Sequence, residues 1–120
     1  MKANPRAAVA YIAGRLITGK SSSSVYDYSQ SKHISFSGTL DADRVDVYDH
    51  DQGCHVSGNG TNGKLSLYQH GESHHIDLTI DGQKFKGYDY GSSRHFDGSV
   101  SGSSISLYDY GESSHFNYSV

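Results

Sequence analysis

The sequence predicts an all-β repeat protein, made of five copies of a unit of about 20 residues that follow one short N-terminal helix. Two observations carry this prediction. A tyrosine recurs at steps of 22, 20, 20 and 20 residues, and a histidine follows each one seven positions later. The pairs are Tyr26–His33, Tyr48–His55, Tyr68–His75, Tyr88–His95 and Tyr108–His115.

Each unit alternates apolar and polar residues in two pieces, which is typical of two short strands. In the last unit, Ile105 and Leu107 share one face, whereas Tyr108 and Tyr110 share the other. Polar links rich in Gly and Ser separate the pieces and have turn composition. The first unit is two residues longer, and the stretch 38–44 holds the insertion, which predicts a loop there.

Two architectures satisfy this pattern. In a β-solenoid each unit is one coil, and equivalent Tyr and His residues stack in columns about 4.8 Å apart. In the alternative, an antiparallel meander, each unit is a hairpin and the strands form a sheet or a barrel. We favour the solenoid, because equal strands and equal turns would keep every row level and a closed barrel requires a stagger.

The segment 1–20 is predicted to be a capping helix, and 21–120 the β-repeat domain. Asn4 can cap the helix, Pro5 suits its first position, and Gly19 can end it. Laid over the first unit, such a helix would cover an exposed end of the stack. The last unit runs to Val120 without a cap, which predicts an exposed end able to self-associate.

The composition argues against several classes of protein. A formal net charge of −3 offers no basic surface for nucleic acid, and the apolar run 7–14 is too short to cross a membrane. The single cysteine excludes an intrachain disulfide and fits a reducing compartment, so we expect a cytoplasmic protein; export through the N-terminal segment is the alternative.

The repeated rings are the candidate functional residues. Outward aromatic residues suit stacking against a partner or a sugar, and also simple cross-strand packing. The predicted binding face consists of Tyr48, Tyr68, Tyr88, Tyr108, Tyr90, Tyr110, His75, His95 and His115. If a metal binds, the densest histidine group is the place to look, namely His70, His74 and His75. The even spread of histidines favours a structural Tyr/His ladder over a metal site.

No catalytic motif stands out from the repeat background, so we expect a non-enzyme without a cofactor. The inward aspartates recur in four of the five units, with Gln69 in the remaining one, which indicates capping of the following turn. The leading functional hypothesis is a structural or protein-interaction module, self-associating through its Tyr/His face or its C-terminal end into a homo-oligomer. The alternatives are a lectin-like glycan binder that uses the tyrosines, and a metal-binding protein.

Overall fold

The computed structural model describes residues 1–120, in which one helix precedes ten strands. The helix α1 spans Ala3–Thr18. The strands are β1 Ser24–Asp27, β2 Lys32–Leu40, β3 Arg44–Asp49, β4 Cys54–Thr61, β5 Lys64–Gln69, β6 His74–Asp81, β7 Lys84–Asp89, β8 Arg94–Ser101, β9 Ser104–Asp109 and β10 Ser114–Ser119.

The ten strands form one closed antiparallel barrel. Each strand pairs with its neighbours in sequence, and β10 returns to pair with β1 through Tyr26 opposite Ser119. Each repeat is therefore a hairpin, such as β5–β6 or β9–β10. The prediction of an all-β fold is confirmed, but the solenoid is wrong, and the alternative of a hairpin barrel is confirmed.

The stagger needed for closure comes from strands of unequal length. The first strand of each later hairpin has six residues, whereas β4, β6 and β8 have eight. Tyr68 lies opposite His75, and the His75 carbonyl accepts a hydrogen bond from the Tyr90 amide at 3.0 Å. A row across the sheet thus passes from Tyr68 to Tyr90 and not to its repeat equivalent Tyr88. This offset at every hairpin supplies the shear that a level meander lacks.

The turns at the two ends of the barrel differ. At one end, two-residue turns join consecutive hairpins. In the turn Asn62–Gly63 both residues have positive φ. The loop 41–43 replaces such a turn after the first hairpin, as the two extra residues predicted. At the other end, four-residue turns close each hairpin, and their last residue has positive φ: Ser31, Gly53, Ser73, Ser93 and Ser113.

The helix α1 lies inside the barrel. The prediction of a cap over the first unit is therefore wrong. Residues 5–14 of the helix are all buried, and they pack against the inward side chains of the strands in one core. A helix that is apolar all round is buried on every side. The run 7–14 had this character in the sequence, but only a closed barrel offers walls on all sides.

The helix fits the lumen because it is built from small residues. Ala7, Ala8, Ala10 and Ala13 are fully or almost fully buried. A Cβ added at Gly14 would lie 2.5 Å from Ile105 Cδ1, so the barrel wall approaches the helix backbone there. The lumen therefore holds a slim helix and leaves little room for a bound molecule.

The helix ends only partly follow the sequence prediction. Lys2, not Asn4, occupies the N-cap position, and no side chain caps that end. The Asn4 side-chain Nδ2 instead donates to Asp51 Oδ2 at 2.8 Å. Gly19 adopts the left-handed conformation with φ 73°, as predicted for the C-cap. No helix of the structure combines the length and the apolar character that a membrane span requires.

The predicted exposed C-terminal edge does not exist. Strand β10 is hydrogen-bonded to β9 on one side and to β1 on the other, and the Val120 amide donates to the Ser103 carbonyl at 3.0 Å. Closure of the barrel leaves no strand edge for a second chain to extend. Self-association through that end would therefore have to use contacts other than strand pairing.

Candidate functional site

Outward Tyr and His residues recur in every hairpin of the barrel, and we call them together the aromatic belt. In every hairpin a tyrosine lies opposite a histidine, with the ring centroids 4.7–4.9 Å apart and the rings edge to face. The belt contains these five Tyr–His pairs and a further ring two residues after each paired tyrosine. We call these further rings the outer rings, namely Tyr28, His50, His70, Tyr90 and Tyr110.

The belt contains every residue of the predicted binding face, at two levels of exposure. Tyr48, Tyr68, Tyr88 and Tyr108 are half-buried between their neighbours, whereas His75, His95 and His115 are exposed. The most exposed large apolar side chains of the molecule are Tyr28, Tyr90 and Tyr110, at 58%, 53% and 50%. These three occupy equivalent places in their hairpins.

Hydrogen bonds across neighbouring hairpins hold four of the five outer rings. The Tyr90 hydroxyl donates to Asp77 and the Tyr110 hydroxyl donates to Asp97, both at 2.9 Å. Where the ring is a histidine, its partner is a serine: Ser37 Oγ lies 2.8 Å from His50 Nε2, and Ser57 Oγ lies 2.9 Å from His70 Nε2. We call these the bridging pairs.

The bridging pairs explain why the outer ring varies between units. A tyrosine occurs where the preceding hairpin offers a carboxylate, and a histidine occurs where it offers a hydroxyl. The hydrogen bond also raises the pKa of the Tyr90 phenol, because the neutral phenol donates to the charged Asp77. At the closing seam Asn117 stands where the other hairpins have the carboxylate. Its backbone carbonyl accepts from the Tyr28 backbone amide at 3.1 Å.

The histidine columns predicted for a solenoid are absent. Equivalent residues of successive units lie two strands apart, about 10 Å at the usual strand spacing. Every histidine except His74 packs on the tyrosine of its own hairpin, and His55 and His70 are 6.5 Å apart between ring centroids. The predicted pairing of imidazole with tyrosine is thus confirmed, but the stacked ladder is wrong.

The three histidines predicted as a possible metal site point in different directions and have different partners. His70 bonds to Ser57, and His75 packs on Tyr68. His74 points to the barrel end, where its Nδ1 lies 3.2 Å from Asp89 Oδ1. Adjacent strand residues face opposite sides, so His74 and His75 do not converge. Nowhere do three or more His, Cys, Asp or Glu side chains converge in a geometry that could hold a metal ion.

The inward aspartates form a ring at the barrel end where α1 begins. Each is fully buried and caps its own turn: Asp27 accepts from the Ser29 amide at 2.9 Å and Asp89 from the Gly91 amide at 3.1 Å. Gln69 Oε1 accepts from the Glu72 amide at 3.0 Å in the same way. The predicted Asx-turn role is therefore confirmed, because each of these side chains accepts a backbone N–H of its own turn.

Asp109, a member of this ring, also binds the helix and the N-terminus, which sequence reasoning missed. Its Oδ2 lies 2.7 Å from the Met1 ammonium. Arg6 Nη1 lies 3.2 Å from Asp109 Oδ2, and its Nε donates to the Tyr118 hydroxyl at 3.2 Å. The guanidinium also lies 3.5 Å from the centroid of the Phe116 ring. Burial raises the pKa of Tyr118 well above its ordinary value. The sequence feature that could have indicated this contact is Arg6, which directly precedes the apolar run 7–14 of the helix.

Cys54 has the surroundings of an unreactive thiol. Burial raises its pKa, and its Sγ lies 3.7 Å from Gln69 Oε1. A raised pKa leaves little thiolate, which is the nucleophilic form. Its neighbour His55 packs on Tyr48 on the outer face, so the two side chains do not meet.

Comparisons with known protein families, curated proteins and solved structures find no match to this chain. The aromatic belt is therefore interpreted from its own geometry.

Proposed function

We propose that this protein is a non-catalytic interaction module whose aromatic belt binds protein surfaces, a second copy of the chain among them. The observation that carries the proposal is the exposure of three equivalent tyrosines, Tyr28, Tyr90 and Tyr110. Large rings left in water on one surface mark interaction sites. Tyrosine adds a hydroxyl to an apolar ring, so it suits contacts that are partly polar.

The rigidity of the belt supports the same role. Tyr90 and Tyr110 are each held by an edge-to-face contact with the preceding tyrosine and by a bridging hydrogen bond. Side chains that are already ordered lose less conformational entropy when a partner binds. The belt is therefore a preorganised surface, and its strands have no free edge through which the chain could assemble.

The arrangement of the polar residues supports a non-catalytic role. The buried aspartates cap turns, the belt histidines pack on tyrosines, and the Cys54 thiol is kept protonated by burial. General acid–base or nucleophilic catalysis needs such groups to be within reach of each other and of a substrate. Here each candidate group has a separate structural partner.

Self-association is the testable form of this proposal. Light scattering across a range of protein concentrations is expected to show a mass that rises above that of the 13.1 kDa monomer. Tyr28→Ser, which removes an exposed ring with no side-chain hydrogen bond, is expected to reduce that rise. Tyr110→Phe keeps the ring and serves as control. A wild-type chain that stays monomeric at every concentration would contradict the proposal.

Glycan recognition is the second candidate. It is favoured by the close association of exposed tyrosines with carboxylates, because a sugar offers both apolar ring faces and hydroxyl groups. Asp77 with Tyr90 and Asp97 with Tyr110 supply this combination on adjacent hairpins. A glycan array probed with the intact chain tests it, and an array without any bound glycan would remove this candidate.

A further inference from the structure

Glycines at core-facing positions shape the outer surface of the barrel. A Cβ at Gly98 would collide with the Ser106 carbonyl and the Phe85 ring, and one at Gly87 would collide with the Asp77 carbonyl and the Phe96 ring. Without inward side chains, the backbone at these points can lie close to the opposing atoms. A strand that moves toward the core leaves a depression on its outer side.

Both glycines line grooves on that outer side. The groove over Gly98 has a volume of about 520 Å³, and the groove over Gly87 has a volume of about 780 Å³. They share Thr79, Lys86 and Asp97, so they adjoin along these residues and together cover β6 to β10; we call the two together the groove. Each volume lies within the range of small-molecule sites, roughly 300–1,000 Å³.

Belt rings line both halves of this groove. Tyr108 and His115 lie along the half over Gly98. Tyr88, His95 and Tyr110 lie along the half over Gly87. The ring–ring contacts of the belt, at 4.7–4.8 Å between centroids, fix these side chains in place. Each half therefore offers at least one preordered tyrosine ring beside polar groups.

The charges of the groove are balanced. Three cations and three carboxylates line its two halves, and no ion pair within 4.0 Å joins them: Lys84, Lys86, Arg94, Asp77, Asp81 and Asp97. A charged ligand would meet as many unfavourable as favourable groups. A neutral ligand rich in hydroxyls can donate to the carboxylates and accept from the cations at the same time.

We propose that this groove binds a neutral oligosaccharide, with consecutive sugar rings over Gly98 and Gly87. Lys86 and Asp97, which lie opposite each other on β7 and β8, contact hydroxyls near the middle of the bound segment. Tyr108 and Tyr88 provide the apolar contacts for the two rings. The assignment rests on the second candidate function and adds to it a ligand class and a location.

A glycan array compares the intact wild-type chain with matched variants. Lys86→Ala removes a central donor, and Asp97→Asn removes the charged acceptor. Lys64→Ala is the matched control, because Lys64 is the exposed equivalent of Lys84 one hairpin earlier and does not line the groove. Tyr110→Phe controls for the bridging bond that Asp97→Asn weakens. Thermal melts verify that each variant is folded.

The expected result is binding of at least one neutral oligosaccharide, weakened about ten-fold or more in Lys86→Ala and in Asp97→Asn. The control Lys64→Ala retains wild-type affinity. Amide shifts on titration of the best-bound oligosaccharide then fall at Gly87, Gly98 and Ser99. An array with no bound glycan of any class refutes the glycan function itself. Neutral glycans that bind all variants equally, or exclusive binding of acidic glycans, refute this groove as the site.

Discussion

The buried ion pair between the helix and the barrel allows a sharp test of how the core is held. The substitution Asp109→Asn keeps the shape of the side chain and the Oδ1 that accepts from the Gly111 amide at 3.0 Å. It removes the negative charge that faces the Met1 ammonium at 2.7 Å and the Arg6 side chain at 3.2 Å. The Arg6 and Asp109 side chains are almost fully buried, at 7% and 1% exposure, so water cannot replace the lost partner.

The expected cost is large for a single atom change. Removing one partner of a buried ion pair leaves an uncompensated charge and destabilises by about 3–5 kcal/mol. The Tyr118 hydroxyl and the Phe116 ring still contact the guanidinium, which places the expectation for Asp109→Asn near the lower limit, about 3 kcal/mol. A domain of this size is stable by roughly 5–15 kcal/mol, so the variant remains folded but unfolds at much lower denaturant.

Equilibrium urea unfolding, followed by far-ultraviolet circular dichroism, measures this loss. Asp27→Asn is the matched control, because Asp27 holds the equivalent position, caps its own turn and has no cation against it. Its cost is expected to be about 1 kcal/mol or less. The double variant Arg6→Met with Asp109→Asn is expected to lose less than the sum of its single variants, because the Arg6 charge that Asp109→Asn leaves unpaired is then absent.

Equal losses for Asp109→Asn and Asp27→Asn would refute this reasoning. Such a result would mean that the charge at Asp109 contributes no more than the turn cap that both positions share. Additive losses in the double variant would refute the coupling of Arg6 to Asp109 in the same way.

Three further predictions concern the belt, the phenols and the lumen. Replacing Asp97 by Ser or Tyr110 by His alone should lower the melting temperature, and the double variant should recover part of it, because it recreates the Ser57–His70 pair; no recovery would contradict the bridging role. Burial raises the pKa of Tyr118, so the folded state holds the neutral phenol. The contribution of Tyr118 to stability should be constant below about pH 10 and be lost above it, and a urea midpoint that does not change between pH 10 and pH 12 would disprove this. Ala10→Leu should cost about 1–3 kcal/mol in urea unfolding by overfilling the lumen, and an unchanged midpoint would show spare room there.

Local features of the fold were accessible from the sequence. Alternation placed Ile105 and Leu107 on one strand face, and both are buried in the core. The recurrence of Asp with one Gln at a fixed place identified turn caps, because a hydrogen-bond acceptor there need not be charged. The Gly19 C-cap followed from the same local rules. Such features depend on near neighbours, and the repeat presents each one several times.

Closure of the barrel was not accessible in the same way. The sequence spacing is uniform at 20 residues from Tyr48 onward, and the offset between hairpins arises from how that spacing divides between a short and a long strand. Only the pairing register reveals this division, for example Tyr88 opposite both Asp77 and His95. The position of the helix depends on closure, so it could not be inferred before the barrel was known.

The candidate site was predictable in membership but not in arrangement. The tyrosines and histidines of the belt were identified from their outward parity. The bridging pairs cross from one hairpin to the next and join residues 13 apart, such as Asp77 and Tyr90, so they require the offset register. The groove depends on Gly87 and Gly98. Because these glycines have no inward side chain, the backbone lies closer to the core there and the outer surface is depressed.

The enclosed helix constrains the order in which the chain can fold. The seam between β1 and β10 joins the beginning of the sheet to its last hairpin, so it brings together residues far apart in sequence. Such long-range pairing is entropically costly and slow to form. Because α1 is synthesised first and is surrounded on all sides at the end, the helix must already be in position when the seam closes. Completion of the last hairpin is therefore the step that commits the chain to its native state.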